Sequence, residues 1–182
     1  MKHMKSLIAA AVLATASLGS TAAFAADISN KPQALAVLDN TANFGSSFLL
    51  NNQNNTFADK FRFSVTTVDH DFDAIVSSIT RNASTGLDIT GLNLFSNTGS
   101  LITAGTREST GAVDIWSLRA DNLDVGSYYL QVSGKMVSGT GGSFGGTVML
   151  APVPEPETYG MMLAGLGVLG FLARRRKAAK QA

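Results

Sequence analysis

The sequence predicts an all-β domain built as a single antiparallel β-sandwich. Turn-forming stretches recur every eight to twelve residues through its middle: NNQNN, RNASTG, SNTGS, TREST, ADN, GK and GTGGS. Short runs of Val, Ile, Phe and Leu separate them, and no long stretch there has the period of a helix. The sequence of 182 residues contains no cysteine, so this domain must be stabilised by an apolar core rather than by disulfides.

The N-terminal residues show the three parts of a secretory signal peptide in order. Two lysines provide the positive charge, residues 7–18 form the apolar stretch, and Ala23 and Ala25 form an A-x-A cleavage site. We therefore expect a signal helix over residues 1–25, removed by signal peptidase between Ala25 and Ala26. A buried or amphipathic N-terminal helix is the alternative.

The strands of the extracytoplasmic domain, residues 26–150, follow in chain order. NKPQALAVLDN fits either a helical turn or an edge strand. In FADKFRFSV alternate side chains share a face, so the aromatic face should be buried and the face with Lys60, Arg62 and Ser64 should not. The residues of the aromatic face are Phe57, Phe61, Phe63 and Val65.

Later segments complete the predicted sheets. FDAIVSSI, LDITGLNLF, VDIWSL and SYYLQVSGKMV provide four or five further strands, and GTVMLAP closes the sheet. GTGGSFGG, residues 139–146, is either a loop that leads into the last strand or a spacer that holds the domain away from the membrane.

In FADKFRFSV, Asp59 lies on the same predicted face as Phe57, Phe61 and Phe63. A carboxylate buried among phenyl rings costs several kcal/mol unless it is paired or hydrogen-bonded. Either the strand begins after Phe57, or Asp59 has a fixed partner and caps a turn or ties down a loop. A role in ligand binding is the further alternative.

The charges of the two ends differ from those of the middle. The whole chain has a formal net charge of +1. Residues 26–151 contain seven basic and eleven acidic side chains, which gives 7 − 11 = −4. Because this region has neither a basic stripe nor a recognition helix, we expect no nucleic-acid partner.

The stretch VDHDFDA places Asp69, Asp71 and Asp73 around His70. The preferred interpretation is a solvated acidic strand edge, which would prevent aggregation. A calcium site is the alternative, because three carboxylates would lie on one side of a strand or around a tight turn, but the stretch lacks the glycine and the distant glutamate of an EF-hand loop. After the predicted cleavage site the sequence has one histidine and no cysteine, which builds neither a zinc centre nor a Cys-His pair. No G-x-S-x-G elbow supports a Ser-His-Asp triad. We therefore expect a non-enzymatic protein without a cofactor.

Aromatic residues suggest a second kind of site. Trp116, Tyr128 and Tyr129 would form a platform for sugar rings if they were exposed together, and the amides of Asn51 to Asn55 would hydrogen-bond a ligand. Alternation instead places Trp116 and Tyr128 in the core, and NNQNN then forms a flexible loop. Both interpretations remain open from sequence.

The C-terminal residues combine a rigid turn, an apolar segment and a basic end. Tyr159 to Ala173 are fifteen uncharged residues, which as a helix would extend about 22 Å. A bilayer core is about 30 Å thick, so the predicted transmembrane helix is short. The basic residues that follow favour the cytoplasmic side. They are Arg174, Arg175, Arg176 and Lys177.

This order of features, from Val153 to Lys177, resembles the PEP-CTERM sorting signal of Gram-negative bacteria. The resemblance implies an inner-membrane-anchored precursor that an exosortase cuts near its Pro-Glu-Pro. The recognition residues would then be Pro154, Glu155 and Pro156, the helix would present them, and Arg174 to Lys177 would act as the topological stop. We expect residues 151–182 to form this sorting and anchor signal.

The domain carries two weaker resemblances. Phe57, Asp59 and Phe61 resemble the FxDxF motif of one class of PEP-CTERM proteins, and Gly126 to Gly134 fit its G-x-Y-x-L-x-V-x-G run. More distantly, the same half of the chain is similar to bacterial pre-peptidase C-terminal domains. That similarity implies a jelly-roll-like sandwich and no particular activity.

Two classes of function follow. In the first, an exosortase delivers a non-enzymatic protein to the cell surface or extracellular matrix, where it is structural or adhesive; the resemblance connects such proteins with exopolysaccharide and biofilm. In the second, the domain is a carbohydrate-binding module that recognises the exopolysaccharide. A plain membrane-anchored periplasmic protein is the third hypothesis.

Overall fold

The computed structural model describes residues 25–67, 69–80, 82–153 and 156–179. Within these ranges ten strands precede one helix. The elements are β1 Gln33–Ala34, β2 Thr41–Phe48, β3 Thr56–Val65, β4 His70–Ile79, β5 Leu87–Ser96, β6 Leu101–Ala104, β7 Thr106–Ser109, β8 Val113–Leu123, β9 Gly126–Met136, β10 Gly142–Pro152 and α1 Pro156–Ala179.

The strands form two five-stranded sheets. Sheet A has the order β1-β3-β9-β5-β6, and sheet B has the order β2-β10-β4-β8-β7. The described pairings are antiparallel except for β1 with β3, which run parallel. The prediction of a mainly β domain with antiparallel sheets is confirmed.

Alternation along the strands places one core between the two sheets. In β3 the predicted aromatic face is buried, and its rings contact rings from sheet B. Phe61 lies 4.9 Å from Phe44 of β2, and Phe63 lies 4.9 Å from Phe72 of β4, both measured between ring centroids. Burying one such side chain stabilises the fold by roughly 1.5–3 kcal/mol. The inner faces therefore pack as a sandwich does, while the jelly-roll-like connectivity stays a prediction.

The segment NKPQALAVLDN forms an edge strand rather than a helical turn. Within it, β1 pairs in parallel with Phe61 and Arg62 of β3. Leu35 and Val37 pack against the core as partly buried side chains. The segment thus covers what would otherwise be an open edge of β3.

Several predicted boundaries are wrong. The strand β2 was not predicted, and three predicted turns lie in strands: TREST in β7, ADN in β8 and GK in β9. An exposed edge strand such as β7 is as polar as a turn, so composition does not separate the two. The predicted turn SNTGS is confirmed, because the Gly99 amide donates to the Ser96 carbonyl over 3.0 Å.

The glycine-rich stretch GTGGSFGG is neither a spacer nor entirely a loop. Strand β10 begins at Gly142, and it lies inside sheet B between β2 and β4 rather than at an edge. A Cβ atom at Gly146 would collide with the ring of Phe44 and the carbonyl of Ile75. This glycine is therefore required by close packing between strands.

Candidate sorting segment and binding face

The chain leaves sheet B at Pro152 and enters helix α1 four residues later. The Val153 amide donates to the Asp69 carbonyl over 2.9 Å, which fixes the chain just beyond β10. Pro154 and Glu155 lie outside the described residues. Pro156 is the first residue of α1, a position where the missing N–H of proline costs no helical hydrogen bond.

Helix α1 exposes apolar side chains on all its sides. Met161 is 76% exposed and Phe171 is 66% exposed. The residues placed in the hydrophobic core all precede the helix. The described part of the β domain therefore leaves the apolar surface of α1 uncovered. The basic residues Arg174, Arg175, Arg176 and Lys177 continue the helix toward its end at Ala179.

The uncharged part of α1 is bounded by Glu157 and Arg174. Among the helical residues that the structure describes, no segment is both long enough and apolar enough to cross a membrane. The predicted transmembrane helix is therefore not confirmed.

The residues after the predicted signal peptide dock on sheet A, and we call residues 26–30 the N-terminal strap. Ala23 lies outside the described residues, whereas Ala25 and Ala26 lie within them. The Ala26 amide donates to Asn55 Oδ1 over 3.0 Å, and the Ala26 carbonyl accepts from the Thr56 amide over 3.0 Å. Cleavage between Ala25 and Ala26 stays a prediction, and it would leave the whole strap in the mature chain.

Side chains of the strap add further bonds. Asp27 accepts from both the hydroxyl and the amide of Ser29, and these two bonds lower the pKa of the Asp27 carboxyl. The Ser29 hydroxyl in turn accepts from the Ala58 amide over 2.7 Å. The strap is thus fixed along the first half of β3.

Asp59 is held by the same strap. Strand β3 begins at Thr56, so Asp59 points inward and is 2% exposed. Its two oxygens accept from Asn30, over 2.6 Å from the backbone amide and 3.0 Å from the side-chain amide. Of the two alternatives for this carboxylate, a fixed partner that ties down a loop is the one found. Phe57 and Phe61 flank it in the core.

The acidic stretch, from His70 onward, lies in strand β4 of sheet B. Asp71 and Asp73 face Arg119 of β8, whose guanidinium lies 3.6 Å and 3.8 Å from their carboxylates. Among the described residues, no group of three or more His, Cys, Asp or Glu is placed to hold a metal ion. Calcium binding by Asp69, Asp71 and Asp73 stays a prediction. Strand β4 lies between β10 and β8, so the acidic-edge interpretation is wrong.

The predicted aromatic platform does not form. Trp116 packs against the core, and its Nε1–H donates to the Ile89 carbonyl over 3.1 Å. Tyr128 is buried and donates its hydroxyl to the Asp124 carbonyl over 2.8 Å. Burial, with the charges of Asp124 and Asp69, raises the pKa of the Tyr128 hydroxyl. Of the three residues, only Tyr129 reaches the outer side of a sheet.

The asparagines of NNQNN are used within the domain. Asn51 and Asn54 adopt positive φ angles of 67° each, a conformation that asparagine tolerates. The side chain of Asn52 donates to the Leu49 carbonyl, and that of Asn55 donates to Asn52. These amides shape the turn between β2 and β3 and receive the strap.

A different aromatic pair lies on the outer face of sheet A. Tyr129 and Phe95 are register partners on β9 and β5, and their rings stack with centroids 5.1 Å apart. Lys60 Nζ lies 5.0 Å from the Tyr129 ring centroid. This pair was not predicted from the sequence, although a signal for it exists. If Leu92 and Leu94 of LDITGLNLF face the core, alternation places Phe95 on the outer face.

Comparison with known proteins identifies the C-terminal segment. Residues 152–177 match the PEP-CTERM protein-sorting motif. Among curated proteins, none matches the chain. Among solved structures, the chain is similar to PliG of Aeromonas hydrophila, a periplasmic inhibitor of g-type lysozyme, at 11% identity and a TM-score of 0.42. This similarity covers 69% of the present chain and 99% of that chain.

Proposed function

We infer from the sorting motif that the protein is exported and that an exosortase processes it from a membrane-anchored precursor. We propose that processing delivers the β domain to the cell surface or extracellular matrix, where it has a structural or adhesive role beside exopolysaccharide. We also propose that Phe57, Asp59 and Phe61 represent the FxDxF motif and that the role is non-enzymatic.

One observation carries this proposal: the matched motif begins at Pro152, the last residue of the last strand. A cut near the predicted Pro154-Glu155-Pro156 site would remove α1 and leave all ten described strands in the product. Because the core residues all precede α1, the cut would cost no core packing. The position of the motif therefore suits release or attachment of a complete domain.

Intact-mass measurement of the protein from envelope and medium tests the proposal. We expect a product that begins at Ala26 and ends near Pro156, and any added mass would identify an attached group. A strain without the exosortase and the variant Pro154→Ala/Glu155→Ala should both retain the C-terminal residues. The matched variant Pro32→Ala/Glu108→Ala should be processed normally.

The opposite result is equally clear. If residues 159–182 remain in the product of every strain, the segment is an ordinary anchor and the delivery proposal fails. If the processed product is found in the periplasmic fraction alone, processing stands but the surface location does not.

A further inference from the structure

The outer face of sheet A has the composition of a binding surface. Strand register places Arg62, Tyr129 and Phe95 in one row across β3, β9 and β5. The adjacent row consists of Lys60, Gln131 and Asn93. Arg62 is exposed, and the other members of both rows are half-buried. Cations, amides and aromatic rings thus alternate over three neighbouring strands.

Among the described residues, neither cation of this face, which we call the basic face, forms an ion pair. The ion pairs there involve Arg119 and Lys135, and none includes Lys60 or Arg62. Lys135 lies on the same side of the sheet, where Asp88 balances its charge over 3.9 Å. The basic face therefore carries two unbalanced positive charges in a domain whose sequence is acidic.

The outer face of sheet B has the opposite charge. There Arg119 is surrounded by Asp71, Asp73 and Asp121, three carboxylates for one guanidinium. An anionic ligand is therefore attracted to sheet A and repelled by sheet B. The difference in charge between the two faces therefore favours a negatively charged ligand and favours its binding to sheet A.

The positions of the groups on the basic face are fixed before a ligand arrives. The Lys60 ammonium is held above the Tyr129 ring, which Phe95 supports by stacking. Next to Arg62 is an open pocket of about 420 Å³, lined in part by Ser64, Asn97 and Ser127. The hydroxyls of Ser64 and Ser127 lie 3.1 Å apart. Fixed groups lose little conformational entropy when they bind.

These groups match the chemistry of one class of ligand. Guanidinium and ammonium groups bind carboxylates, amides and hydroxyls bind sugar hydroxyls, and ring edges pack against the C–H groups of a sugar. An open face that extends over three strands suits a polymer rather than a small enclosed molecule. We propose that the basic face binds an acidic polysaccharide that carries carboxylate groups, with Arg62 and Lys60 as its principal contacts. This inference rests on the proposed export of the domain to a place where such polymers occur.

The test is a binding measurement on the mature protein purified from the cells that make it. We expect polygalacturonate to bind, with an affinity that falls as NaCl rises from about 0.05 M to about 0.5 M, and dextran not to bind. Arg62→Gln should weaken binding about tenfold. The matched variant Arg119→Gln removes the same charge from the outer face of sheet B and should bind at least as well as the wild type.

A second variant and a comparison with lipid vesicles keep the proposal falsifiable. Tyr129→Thr, which keeps a residue that favours strands, should weaken binding while the thermal midpoint shows that the domain remains folded. Three outcomes would each overturn the proposal. Dextran would bind as tightly as polygalacturonate, Arg62→Gln and Arg119→Gln would lose the same amount of affinity, or the protein would bind vesicles rich in phosphatidylglycerol more tightly than polygalacturonate. The purified protein is used, so failed binding says nothing about delivery, and incorrect delivery in cells leaves the binding result intact.

Discussion

Among the described residues, two carboxylates are buried, one from each sheet, and they differ in their hydrogen bonds. Asp59 of sheet A is 2% exposed and Asp114 of sheet B is 1% exposed. Both oxygens of Asp59 accept hydrogen bonds from Asn30. In Asp114 one oxygen accepts from the Ile89 amide over 3.1 Å, while Oδ1 has no partner among the described residues. Equal burial therefore does not mean an equal contribution to stability.

The largest effect should come from Asp59→Ala. The substitution removes the acceptor for two donors of Asn30 and with it one of the attachments of the N-terminal strap to β3. We expect the free energy of unfolding to fall by about 3 kcal/mol, measured by urea denaturation. A loss below about 1 kcal/mol would show that the strap is held by its other bonds alone.

Asn30→Ala should have an intermediate effect. It removes the side-chain bond to Asp59 but keeps the bond from the backbone amide, so we expect a loss of about 1–2 kcal/mol in the same measurement. Asn97→Ala, at an exposed turn, is the matched control and should change stability by less than about 0.5 kcal/mol. Equal values for the two variants would contradict the role given to Asn30.

Asp114→Asn should be nearly neutral. The amide oxygen keeps the bond to Ile89, and the variant no longer buries a carboxylate with one unpartnered oxygen. We expect a change of at most about 1 kcal/mol in either direction, from urea denaturation followed by Trp116 fluorescence. A loss as large as that of Asp59→Ala would mean that Oδ1 has a partner such as a buried water.

The smallest effect should come from Arg119→Ala on the outer face of sheet B. Its hydrogen bond with Asp121 and the charges of Asp121, Asp73 and Asp71 raise the pKa of Arg119. Solvent and salt screen these exposed charges. We expect only a small fall in the thermal midpoint, and we expect the difference from wild type to disappear in about 1 M NaCl. A difference that persists in high salt would require a packing role for the arginine.

Features that depend on neighbouring residues, such as the buried face of a strand, could be predicted from the sequence. Contacts between residues that are distant along the chain could not. Alternation in FADKFRFSV identified the buried face of β3 and the unusual position of Asp59. The partner of Asp59 could not be predicted, because Asn30 is 29 residues away and reaches it only through the fold. Asp114 was not noticed for the same reason, since its environment depends on Ile89 of the other sheet.

Glycine misled the interpretation where packing rather than a turn requires it. GK was counted among the turn-forming stretches, although SYYLQVSGKMV also placed Gly134 in a predicted strand. Gly134 lies in β9, where a Cβ atom would collide with the ring of Phe57. Only the three-dimensional pairing shows which glycines serve a close approach. The sorting segment was predictable because its signal is contiguous. The basic face was not, because it depends on the register of three strands.

The connectivity of the sheets also determines when folding can be completed during export. Within the described strands, β2 pairs with β10 alone, and β1 and β3 are joined to the other strands of sheet A only through β9. When the chain emerges from a translocation channel with its N-terminus first, β2 and β3 lack these sheet partners until residues 126–152 have emerged. Pairings so distant along the chain form slowly. Since the sorting motif begins at residue 152, the finished domain and its processing signal become available at the same stage of translocation.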